Sequence, residues 1–172
     1  LCSNTSANYN TAVGLASMLA NTEGHSNTAV GLYSMACNTT GDANISIGYE
    51  ALLNNTTANS NVAIGLQAVR TNTTGTANTA VGKSALYANT TADNNTAIGF
   101  CSLKSNTTAD NNTSVGAFAL CANTTGFGTA VGYKAMTANT TSSGGTAMGY
   151  QALCSNTTGD DNTAFGLETL SK

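Results

Sequence analysis

Few side chains in this sequence are of types that do acid–base, nucleophilic or metal chemistry, and their spacing keeps them apart. His25 is the single histidine. A general base needs a nucleophile within hydrogen-bond reach and a group that orients it. No Ser, His and Asp set recurs around His25, so its expected role is a solvated turn residue. Asp42, Asp93, Asp110 and Asp160 share one register position, and only Asp93 and Asp110 fall in neighbouring repeats. That pair is a calcium candidate, but the Gly-Gly-x-Gly-x-Asp motif of calcium-binding β-helices is absent. The five cysteines are Cys2, Cys37, Cys101, Cys121 and Cys154. None forms a Cys-x-x-Cys pair, so a zinc site has no ligand set. An odd number leaves at least one thiol free or bonded to another chain. Glycines lie too far apart for a phosphate loop. The expectation is a protein that is not an enzyme and uses no cofactor and no metal.

Composition narrows the class further. Charged residues are 8% of the 172, and the net charge is −3, against about 25% charged in an average globular domain. A nucleic-acid binder held by phosphate neutralisation needs clustered Lys and Arg, which are missing. The small net charge and the 41% apolar content argue against a charge-driven disordered tail. Proline is absent, which excludes collagen. No apolar run approaches the ~18 residues of a membrane span, so no membrane insertion is expected. The sequence starts at Leu1, as expected of a processed product or a piece of a longer protein.

What positions these residues is a repeat. Asn-Thr-Ala-Val-Gly recurs with its glycine at Gly14, Gly31, Gly48, Gly65, Gly82, Gly99, Gly116, Gly132, Gly149 and Gly166. Every spacing is 17 residues except one of 16, between Gly116 and Gly132. Nine units span residues 10–161, with partial units at 1–9 and 162–172. Residues 1–172 therefore read as one solenoid domain. Numbering each unit from the motif Asn, position 4 is Val, Ile, Met or Phe, and position 5 is Gly. Position 9 is Leu, Met or Val. Positions 12 to 14 are mostly Asn-Thr-Thr, and positions 15 to 17 are small or polar.

Seventeen residues are too few for helical or leucine-rich repeats, and they suit one coil of a parallel β-solenoid. The expected fold is all-β, a β-roll of about ten 17-residue coils stacked about 4.8 Å apart. Thr-Ala-Val favours a strand with positions 2 and 4 on one side and position 3 on the other. Ile45 and Val62 replace Thr at position 2, which suggests that positions 2 and 4 point inward. Positions 4 and 9 then fill the core, and Ala at positions 3 and 8 leaves smooth outer faces for packing between chains. The glycine suits a corner with positive φ. Asn-Thr-Thr is expected to form a second short strand, and the segment after the glycine at most a single helical turn. Asn38, Asn55, Asn72, Asn89, Asn106, Asn123, Asn139 and Asn156, at position 12, either form an amide ladder along the rod or remain solvated turn residues. The position-1 asparagines have the same two readings. The position-12 asparagines, with Asn4, also begin Asn-x-Thr/Ser sequons, the acceptors of N-glycans.

Repeats of Asn-Thr-Ala-Val-Gly-x-x-Ala-Leu resemble the head repeats of trimeric autotransporter adhesins and the shafts of viral or phage-like tail fibres. The adhesin heads carry Ser-Val-Ala-Ile-Gly, which Thr11 to Gly14 and its repeats approximate. The resemblance implies a left-handed β-roll, three chains per rod, and an extracellular or virion-surface location.

Two assembly modes follow for the chain as its own partner, a homotrimer and a head-to-tail polymer. In the second, the partial units at the two ends combine into one coil. Cys2 and Cys154 both occupy position 10, so the hybrid coil brings them into adjacent layers, within the Cα range of an intersubunit disulfide. The first functional expectation is a structural subunit of an extracellular filament or surface fibre. The second is an adhesin or tail-fibre head that binds a host-surface glycan, for which the shortened unit at 112–127, with Phe118 and Phe127, is the one irregular patch. The third is ice binding by flat columns of Thr at positions 13 and 14, interrupted by Glu23.

Overall fold

The computed structural model describes residues 3–171. The chain is an all-β parallel solenoid. Each unit contributes one short strand at positions 2 to 4: β1 (Thr11–Val13), β2 (Thr28–Val30), β3 (Ile45–Ile47), β4 (Val62–Ile64), β5 (Thr79–Val81), β6 (Thr96–Ile98), β7 (Thr113–Val115), β8 (Gly128–Val131), β9 (Gly145–Met148) and β10 (Thr163–Phe165). They form a single ten-stranded sheet in sequence order. Register is strict: Ala29 lies beside Ala12 and Ser46, and Val81 beside Ile64 and Ile98.

The strands face the opposite way from the sequence expectation. Position 3 points inward, with Ala29, Ser46, Ala63, Ala80 and Ala97 fully buried. Position 4 points outward, with Val13 56% and Ile47 39% exposed. The core consists instead of position 9 (Met18, Met35, Leu52, Val69, Leu86, Leu103, Leu120, Met136 and Leu153), packed on small residues at positions 3 and 8. Alternation fixes which residues share a face but not which face is inside. Here one large side chain per coil already fills the narrow cross-section, so the strand opposite it presents Ala or Ser. The smooth Ala faces expected to meet other chains are therefore interior.

The rest of the coil is neither helix nor second strand. Positions 7, 9 and 17 adopt left-handed backbone, as at Ala16 (φ 55°), Met18 (φ 48°) and Ser26 (φ 57°). Non-glycine residues rarely do this, at a cost of roughly 1–2 kcal/mol each. Interlayer hydrogen bonds hold them there: Met35 N–H donates to Ala51 O at 2.9 Å, and Tyr33 N–H to Leu15 O at 3.1 Å. The Asn-Thr-Thr segment is a bend, yet it too is bonded between layers, as from Thr39 N–H to Thr56 O at 2.8 Å.

Candidate functional site

The position-12 asparagines line the interior. Asn38 Nδ2 donates to Asn21 Oδ1 at 2.7 Å, and the same bond recurs in each layer from Asn55 to Asn139. Each of these amides also donates to its own position-15 carbonyl, as Asn72 does to Gly75 O at 2.9 Å. Asn156 stands apart. Its amide folds back onto Gly159, and the buried Oδ1 of Asn139 has no partner. Position 1 builds a second column. Its side-chain oxygen accepts the backbone N–H of the following coil, as Asn44 Oδ1 does from Asn61 N–H at 2.9 Å, and in four layers it also accepts the next amide, as Asn27 Oδ1 does from Asn44 Nδ2 at 3.1 Å. Asn38, Asn55, Asn72, Asn89, Asn106, Asn123 and Asn139 are fully buried. A glycan would have to attach to the Nδ2 that builds the ladder, so these sequons are closed in the folded coils.

The ten corner glycines, Gly14 through Gly166, have φ between 119° and 142°. A Cβ on Gly65 would lie 2.6 Å from Gly82 O. The corner thus needs glycine for its conformation and for the close approach of successive layers.

A third column explains His25 and the aspartates. The His, Asp and Asn side chains at position 16 accept the backbone N–H of the preceding coil: His25 Nδ1 from Asn8 at 3.0 Å, Asp42 from His25 at 2.6 Å, Asp93 from Thr76 at 2.6 Å and Asp110 from Asp93 at 2.8 Å. Asp93 and Asp110 are wall-building acceptors, and no cluster of three or more metal-ligating side chains exists among the described residues. The position-13 threonines also serve the wall, as where Thr39 Oγ1 donates to Thr56 O at 3.0 Å. Only position 14 is left as an exposed Thr column.

Cys37 is exposed, Cys101 buried, and Cys121 and Cys154 half-buried; all four are free thiols. Burial pushes the Cys121 thiol up from its ordinary value. Cys2 lies outside the described residues. The position-10 slot in the layer after Cys154 holds Ser171 of the same chain, whose carbonyl lies 3.6 Å from Cys154 Sγ.

Two surface features are functional candidates. The first is the outer sheet face. Val13, Ile47, Ile64, Ile98, Met148 and Phe165 at position 4 are exposed, flanked by Leu15, Leu32, Tyr49, Leu66, Phe100, Tyr133 and Tyr150 at position 6. The aromatic part is ordered, with Phe100 and Phe118 edge to face at 5.0 Å and Tyr133 and Tyr150 stacked at 5.2 Å. The sequence reading missed this face because it assigned position 4 to the core. Isolated exposed apolar residues are ordinary, but a contiguous stripe marks an interaction surface. The second feature is a groove of about 500 Å³ at the shortened coil, lined by Thr108, Ala109, Asp110, Asn111, Thr125 and Phe127.

No family model matches the chain, and no curated protein or solved structure is significantly similar to it. No helix among the described residues is long and apolar enough to cross a membrane.

Proposed function

We propose that this chain is a structural subunit of an extracellular filament or surface fibre, in which copies pack side by side through the outer sheet face and stack along the rod axis. The observation that carries the reading is the apolar stripe at positions 4 and 6. Its side chains repeat at the interlayer spacing, about 4.8 Å. Only a partner with the same axial period can seat one side chain against every coil, and a second copy of this chain has that period. The resemblance to adhesin heads and tail-fibre shafts is in keeping with this lateral packing and with stacking along the axis.

Light scattering coupled to size-exclusion chromatography, with electron microscopy of the same fractions, tests the reading. The expected result is a multi-chain rod or fibre with a 4.8 Å axial layer line. Replacing Ile47 and Ile64 together with Lys is expected to dissociate it while each solenoid stays folded. A wild-type chain that is monomeric at micromolar concentration would overturn the reading. A second reading, a head that binds a host-surface glycan, is favoured by the groove beside Phe127.

A further inference from the structure

The groove arises from a single missing residue. Position 17 is a left-handed residue whose N–H donates to the position-16 carbonyl of the preceding coil. Ala43 does so to His25, Ser60 to Asp42, Asn94 to Thr76, Asn111 to Asp93 and Gly144 to Phe127, at 3.0–3.2 Å. The unit at 112–127 has 16 residues and lacks position 17. The carbonyl of Asp110 therefore has no such donor; its one contact is a long 3.4 Å bond from Asn112 Nδ2. Asp110 N–H has no acceptor either: Phe127 stands where Asn, His or Asp takes that proton in other coils, and among the described coils Thr76 and Ser143 at this position likewise accept none. Both backbone groups of one exposed residue thus lose their ladder partners at one place, and an aromatic ring 52% exposed stands beside them.

We propose that this groove binds a neutral pyranose residue of a glycan. A pyranose presents a C–H face, which an aromatic ring attracts through the negative charge of its π face, and a rim of hydroxyls that both donate and accept. Phe127 supplies the platform. The N–H and C=O of Asp110 supply one donor and one acceptor fixed by the solenoid wall. The carboxylate of Asp110, the amide of Asn111 and the hydroxyls of Thr108 and Thr125 complete the rim. Few polar groups converging on an apolar platform, in a volume of a few hundred cubic ångströms, is the usual make-up of a small-ligand site. The Asp110 carboxylate selects against sialylated or sulfated sugars. The site deepens the glycan-binding reading above and rests on it, but it does not depend on chain assembly.

Saturation-transfer NMR with methyl β-D-galactopyranoside and methyl α-D-mannopyranoside, at millimolar concentration, tests the proposal on the whole chain. The expected result is transfer from the protein to the ring C–H protons of at least one probe. Phe127→Asp restores the acceptor column, and a Ser inserted after Phe127 restores the 17-residue spacing. Both are expected to lower the signal at least tenfold while the circular dichroism spectrum and Tm hold. Phe127→Leu keeps apolar bulk without a π face and is expected to lose the signal as well, which keeps the test open should the other two misfold. No transfer from either probe to the wild-type chain, or an undiminished signal in folded Phe127 variants, would overturn the site. A fibre that assembles normally without binding sugar would remove the site and leave the structural reading standing.

Discussion

Asn72 lies directly over Asn55 in the solenoid interior and donates from Nδ2 to its Oδ1 at 3.0 Å, while its own Oδ1 accepts from Asn89 Nδ2 at 2.8 Å. All three residues are fully buried. A buried amide left without a partner costs about 1–3 kcal/mol, so a mid-ladder change acts on two neighbours at once. Asn72→Ala is expected to destabilise the chain by about 2–4 kcal/mol. Asn156→Ala, at a position off the ladder, should cost well under half of that. Urea unfolding of both variants checks the difference, and equal losses would contradict a cooperative ladder.

Two pairs of buried serines share one arrangement. Ser34 Oγ donates to Ser46 Oγ at 2.7 Å, and Ser46 Oγ donates to Ala51 O at 2.8 Å; Ser102 and Ser114 repeat the arrangement. In the next layer the equivalent positions are Ala51 and Ala63, both fully buried. Ser34→Ala alone is expected to cost about 1 kcal/mol. Ser34→Ala combined with Ser46→Ala should cost less than the sum of the two single changes, because an all-Ala layer is native elsewhere in the rod. A double-mutant cycle read by chemical denaturation gives the coupling directly.

Val69 is a β-branched residue in left-handed backbone (φ 51°), fully buried between layers whose equivalent residues are Leu52 and Leu86. The column accommodates Leu, and a β-branched side chain at positive φ is strained. Val69→Leu is expected to stabilise the chain by about 1 kcal/mol, seen as a raised Tm. An unchanged or lower Tm would mean that the layer has closed around the smaller side chain.

Glu50 takes Arg70 Nε at 2.7 Å and Gln67 Nε2 at 2.9 Å on one carboxylate oxygen. The Gln67 hydrogen bond, and then that of Arg70, hold its carboxyl below the ordinary 4.5. A depressed carboxylate stabilises the fold above its unfolded-state value and loses that contribution as pH falls through the folded one. Glu50→Gln is therefore expected to lower stability at pH 7 by less than about 1 kcal/mol, the range for a largely surface pair. The gap from wild type should narrow as the pH is lowered from 7 into the acid range. Thermal melts across that range test the sign.

The sequence by itself determined the period, the solenoid, the glycine corners and the in-register columns, because a 17-residue repeat with an invariant Gly leaves few backbones that stack identical layers. It placed Asn at positions 1 and 12 as columns but left ladder and solvated turn as alternatives, since a polar residue reads alike in both. Only the tertiary structure decided which face of the strand is interior. Val13 and Ala12 alternate by the same rule whichever of them points inward, and the choice follows from how much volume position 9 leaves in the cross-section. Left-handed backbone at residues such as Leu52 and Val69 was illegible for the same reason: neither type favours it, and only the interlayer hydrogen bonds make it pay. The gap after Phe127 was visible as one missing residue, but its effect was not. That a lost position 17 frees both backbone groups of Asp110, a whole coil earlier in the chain, follows from the stacking of layers.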